Sequence, residues 1–182
     1  LDLKSLDNHG RFAGYASVFN VVDSQRDIIL RGAFAQTLRG RTGDIKFLWQ
    51  HQQEEPIGTF ERMLEDRRGL YVEGQLLLNV RRAREAHSLL KAGAINGLSI
   101  GYSPVRYTID SKTGVRRLAE VELWEISLVT FPANAAANVT VVKQREAIPD
   151  AHDGRQWDAA RRTGQLIELA STLDYAIGVL RD

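Results

Sequence analysis

Between Ile95 and Ser103 the chain reads INGLSIGYS, an alternation that suits a β-strand and no helix. Leu98, Ile100 and Tyr102 point to one side, and Gly97, Ser99, Gly101 and Ser103 to the other. The apolar side anchors the strand in a core. The opposite side carries one serine between two residues without a Cβ, so it is expected to lie open to the close approach of another backbone.

The remaining segments mostly follow the same period. Phe12 to Asn20 (FAGYASVFN) reads as a strand, and Val21 to Ile29 as a polar loop holding Asp23 and Asp27. Gly32 to Leu38 suggests a short helix closed by Gly40 and Gly43. Ile45 to Gln50 (IKFLWQ) is a compact apolar run that delivers His51 at its end, and Pro56 and Gly58 are expected to break the chain soon afterwards. Thr59 to Leu64 and Leu70 to Leu78 suggest a hairpin turning at EDRRG, with Gly69 suited to a positive φ. Val80 to Ala92 has helical spacing, with Gly93 as the residue that ends it. Val105 to Ile109 and Arg116 to Val129 read as another hairpin, and Val139 to Val142 as a last short strand. The expected fold is α+β and mainly β: a small barrel or strongly bent sheet with short helices around it. After Lys143 the composition changes. Residues 144–182 read as a linker, QREAIPDAHDG, followed by an amphipathic helix from Trp157 to Leu180. Residues 1–143 form the body.

Composition narrows the chemistry. The net charge of +1 over 182 residues gives no basic field for nucleic acid. No apolar run reaches membrane-spanning length, and the N-terminus has no basic-then-apolar signal pattern. Cysteine is absent, which removes disulfides, thiolate metal sites and thiol nucleophiles. No metal-binding histidine spacing and no phosphate-cradling glycine loop occurs, so no cofactor and no metal is expected.

Serine and histidine remain. Ser99 on its rigid strand could serve as a nucleophile, which needs a base in hydrogen-bond reach; the plainer reading is a solvent-facing serine beside two turn-forming glycines. Of the four histidines, His9 and His152 lie near the termini and His87 on an amphipathic helix face. His51, at the end of a buried strand, is the base candidate by elimination. Glu125 is a lone carboxylate on the strand face Val121, Leu123, Glu125, Ser127, Val129, and burial obliges it to find a partner. That partner is either a histidine, as a triad needs, or one of Arg26, Arg106 and Arg117. Asp27 and Asp44 remain as loop acids.

In order, the motifs FAGYASVFN, RDIILRGAFAQTL, FLWQHQQEEPIG, INGLSIGYSP and ELWEISLVTFPAN resemble the caudoviral prohead protease family over Gly10 to Lys143. The resemblance implies a fold similar to the herpesvirus assemblin proteases, with residues 1–143 as the protease domain. It implies a serine endopeptidase with Ser99 (GLSIGY) as nucleophile and His51 (WQH) as base. Glu125 (LWEIS) is the matching third position; the herpesvirus relatives use a second histidine there, and none follows Ser99 except His152. Backbone N–H groups near Ile100 and Gly101 would hold the oxyanion, with or without help from an arginine. The implied substrates are scaffold, a scaffolding segment of the major capsid protein, and the protease itself. The implied location is the assembling prohead in the host cytoplasm. No nucleic-acid or membrane partner is implied, and a homo-oligomer is left open. The alternative is a catalytically silent assembly protein that keeps the barrel.

Overall fold

The computed structural model describes residues 9–141, so the tail helix expected after residue 144 lies outside the described residues. Eight strands form one sheet: β1 (Arg11–Val18), β2 (Asp27–Ile29), β3 (Lys46–Trp49), β4 (Gln52–Glu65), β5 (Gly69–Leu76), β6 (Gly97–Ile109), β7 (Arg116–Val129) and β8 (Val139–Val141). Two helices, α1 (Ala35–Leu38) and α2 (Arg81–Lys91), lie between strands. The ladder runs β2-β7-β3-β4-β5-β1-β8, and β6 pairs along the other edge of β7. The sheet curls far enough for its ends to meet. Gly97 at the start of β6 bridges Asn138, Leu98 N–H donates to the Ala137 carbonyl at 3.0 Å, and Val139 N–H donates to the Asn96 carbonyl at 2.9 Å. A sheet rolled in this way covers most of its own edges.

The inside of the curl is apolar. Phe12, Phe47 and Phe60 form a three-ring cluster of tilted and edge-on contacts, with centroids 4.8 Å apart for Phe12–Phe47 and 5.1 Å for Phe47–Phe60. Leu98, Leu123, Ile126 and Leu128 from β6 and β7 are fully buried. Each such side chain contributes roughly 1.5–3 kcal/mol relative to exposure. β6 and β7 are therefore held rigidly from beneath along the stretch that carries Ser99 and Glu125.

Several boundaries differ from those read in the sequence. Asp27–Ile29 is not loop but β2, three residues paired in parallel with Arg116–Leu118. The break expected at Pro56 and Gly58 is absent, because β4 runs through both with shifted registers against β3. Pro104 likewise lies inside β6, beside a register shift against β7. Gly69 has no positive φ. A Cβ there would run into the Ser17 carbonyl on β1, so glycine is required for close strand packing instead. Gly93 does adopt φ 70°, closing α2 as expected.

Candidate active site

The chain reverses between β3 and β4 at only two residues, Gln50 and His51, since Trp49 pairs with Gln52. Both have positive φ, 52° and 61°. A two-residue hairpin of the primed type requires this backbone and normally takes Asn-Gly. Left-handed non-glycine residues cost about 1 kcal/mol or more each, and they persist where neighbours over-determine them. Gln50 N–H donates to the Leu128 carbonyl at 3.0 Å, its side-chain amide donates to Thr130 Oγ1 at 2.8 Å, and His51 N–H donates to Ser127 Oγ at 3.0 Å. The turn is thus pinned onto β7.

β6 and β7 are in register at Ser99↔Ser127 and Gly101↔Glu125. Directly opposed residues share a face, so Ser99, Ser127 and Glu125 all project to the side on which the His51 turn lies. His51 Nδ1 is 2.6 Å from Glu125 Oε1. The other carboxylate oxygen, Oε2, accepts from Ser127 Oγ at 2.7 Å. A carboxylate only accepts, which assigns the ring proton to Nδ1 and leaves Nε2 as the acceptor nitrogen. The hydrogen bond that His51 donates to Glu125 raises the His51 pKa above its ordinary 6.5, and partial burial opposes the shift. Glu125 is therefore partnered by His51; Arg106 pairs with Glu120 instead, at 3.5 Å.

Ser99 is buried, yet it lines the same open cleft of about 320 Å³ as His51, with Ile100, Gly101, Gln25 and Arg116. The expectation that Gly97 and Gly101 leave this face free for substrate is corrected. A Cβ on Gly97 would lie 2.7 Å from the Pro132 ring, and one on Gly101 would overlap the Glu125 carboxylate. The missing side chains make room for the protein's own groups. At Gly101 that group is the acid that reaches His51.

Arg116 is paired with Asp27, Nε to Oδ1 at 2.7 Å, and Tyr102 donates to Asp27 Oδ2 at 2.6 Å. Burial alone would raise the Asp27 pKa, but Arg116 and Tyr102 hold it below the ordinary carboxylate value. Burial and the Asp27 carboxylate push the Tyr102 phenol well up. Asp27 thus holds two lining residues of the cleft, Tyr102 and Arg116, in place, and Asp44 lies 3.6 Å from Arg41 in a separate ion pair. His87 sits half-buried on α2, His9 is exposed, and His152 lies outside the described residues. Reasoning from the sequence missed Ser127 and Arg116. The spacing of Glu125 and Ser127, two apart on one strand, was the available signal for Ser127. Nothing local marked Arg116, whose partner is 89 residues away. Among the described residues no group of three or more acids and histidines forms a metal cluster, and no helix is long and apolar enough to cross a membrane.

A family profile described as caudovirus prohead serine protease matches residues 1–150. The chain belongs to that family. It is 37% identical over 151 residues to the prohead protease of Enterobacteria phage HK97, an alignment covering 81% of this chain and 67% of that protein. It is 36% identical over 152 residues to a capsid polyprotein of Pseudomonas phage PAJU2, covering 79% of this chain but only 22% of that one. Among solved structures, the bacteriophage T4 capsid assembly protease, gp21, aligns with a TM-score of 0.50 at 11% identity, over 74% of this chain and 82% of that chain. That likeness is one of fold. Membership of the prohead protease family makes this curled sheet the scaffold of a peptidase.

Proposed function

We propose that the chain is a serine endopeptidase of phage or phage-like head maturation, with Ser99 as nucleophile, His51 as general base and Glu125 orienting His51. The observation that carries this reading is the 2.6 Å contact between His51 Nδ1 and Glu125, with the imidazole and Ser99 in one cleft. His51 Nε2 takes the Ser99 proton as Oγ attacks a peptide carbonyl, then returns it to the departing amine. Water, activated by the same nitrogen, releases the acyl group. Glu125 stabilises the imidazolium formed at each step.

The oxyanion is assigned to the backbone N–H of Ile100 in preference to that of Gly101. Leu98 N–H points away from β7, toward Ala137, and strand alternation gives Ile100 the same direction. By that alternation Gly101, opposite Glu125, faces into the ladder. Scaffold, scaffolding segments of the capsid protein and the protease itself are the proposed substrates, cut inside the assembling prohead. The relative that forms part of a capsid polyprotein supports a capsid chain as one of them. Co-expression with the capsid protein encoded alongside it tests this. Wild type should yield a shortened capsid chain and Ser99→Ala the full-length one; shortening by both variants rejects the assignment.

A further inference from the structure

Ser127 takes no part in the proposed proton transfers, yet its position is unusual. It is fully buried on β7, opposite Ser99 on β6 and Leu48 on β3. Its hydroxyl donates to Glu125 Oε2 at 2.7 Å and accepts the His51 N–H at 3.0 Å. Both directions are fixed, because a carboxylate only accepts and an amide only donates. With His51 Nδ1–H on Glu125 Oε1, the bonds close a ring: His51 backbone to Ser127, Ser127 to Glu125, Glu125 back to the His51 imidazole.

We propose that Ser127 is a positioning residue of the Ser99 site, its hydroxyl locking the carboxylate and the backbone of His51 to each other so that the imidazole is held in one orientation toward the cleft. This rests on the assignment of Ser99, His51 and Glu125 made above. One bond alone would hold either the acid or the left-handed turn. The shared hydroxyl makes their geometry a single unit, and displacement of a reacting group by about 1 Å can cost a hundredfold in rate. Glu125 contacts the His51 ring, and the charged side chain lining the cleft with His51 is Arg116, neutralised by Asp27.

The test compares wild type with Ser127→Ala, Ser127→Cys and Ser127→Thr, using a fluorophosphonate probe that needs no known substrate. The labelling rate is followed against pH, and the His51 ring is titrated by NMR in a Ser99→Ala background. Ser127→Ala should label about 10- to 100-fold more slowly, with the His51 midpoint falling toward its ordinary value. Cysteine, a weak donor, should fall between alanine and wild type, and threonine should recover most of both readouts. Should Ser127→Ala fail to fold, the order of cysteine below threonine carries the test. Wild-type rate and midpoint in Ser127→Ala, or equal losses in all three variants with no shift of midpoint, would overturn the proposal. Wild-type labelling of Ser99→Ala or His51→Gln would instead sink the underlying site assignment, so the two failures are told apart.

Discussion

The roles proposed for His51 and Glu125 couple activity to pH in a definite direction. The raised pKa means that the imidazolium, which cannot accept the Ser99 proton, persists to higher pH than for a free histidine. Activity should therefore be lost as pH falls through a midpoint above 6.5, read from the acid limb of kcat/KM. The ion pair acts on stability with the opposite sign. Its contribution is complete below the unfolded-state pKa and is lost as pH rises through the raised folded-state pKa. A flat activity profile between about pH 5 and 8 would contradict the base assignment. Glu125→Gln should cost about 100-fold or more in kcat, because an amide that donates to Nδ1 leaves the proton on Nε2, where it blocks the reaction. The variant should also move the acid limb down. Gly101→Ala should act in the same direction, since its Cβ takes the space of the Glu125 carboxylate. A fully active Gly101→Ala enzyme with an unmoved acid limb would mean that the carboxylate can reach His51 by another path.

At the scale of elements, the cleft wall depends on a contact between β2 and β7. Asp27 is 1% exposed and its charge is met by Arg116. Arg116→Leu should strand a buried carboxylate and destabilise the fold by about 3 kcal/mol, measured by urea unfolding. A loss near zero would show that water replaces the guanidinium. The acid limb of stability follows the same pair: Asp27, held below its ordinary value, keeps its contribution above that value and loses it as pH falls through the folded-state pKa. This contact was not legible in the sequence. β2 is three residues long and begins with an aspartate, so it offers no period to read, and a parallel partner far along the chain leaves no local trace. The β6 alternation was legible as a strand because it extends over many residues, but its burial is not one-sided: Ser99 is buried beside Leu98, and Ile100 and Tyr102 are half-buried. His51 was placed at the end of its strand correctly, but the turn was expected at Pro56. The structure turns at Gln50–His51, where neither residue favours φ above zero and tertiary bonds to β7 impose it. Pro56 misled because a strand with register shifts accommodates a missing N–H.

For the whole molecule, the curled sheet converts distant segments into one site. Strands β3, β6 and β7 are each short of function alone, and only the order β3-β7-β6 brings the His51 turn, Glu125 and Ser99 to one face. The buried residues beneath that face set how rigidly they are held. Phe47→Ala on β3 should therefore destabilise by about 3–5 kcal/mol and lower kcat as well, with thermal unfolding and turnover measured on the same sample; unchanged turnover in the folded fraction would separate core packing from site geometry. The prohead protease family assignment stands on the family profile and the sequence relatives, whereas the roles of individual residues are a proposal that this geometry supports. The most direct test of those roles is intact-mass and peptide-mapping spectrometry after reaction with a fluorophosphonate. The account predicts one adduct, on Ser99, that disappears in Ser99→Ala and forms far more slowly in His51→Gln. Loss of labelling in neither variant, or an adduct on another serine with cleavage intact in Ser99→Ala, would contradict it.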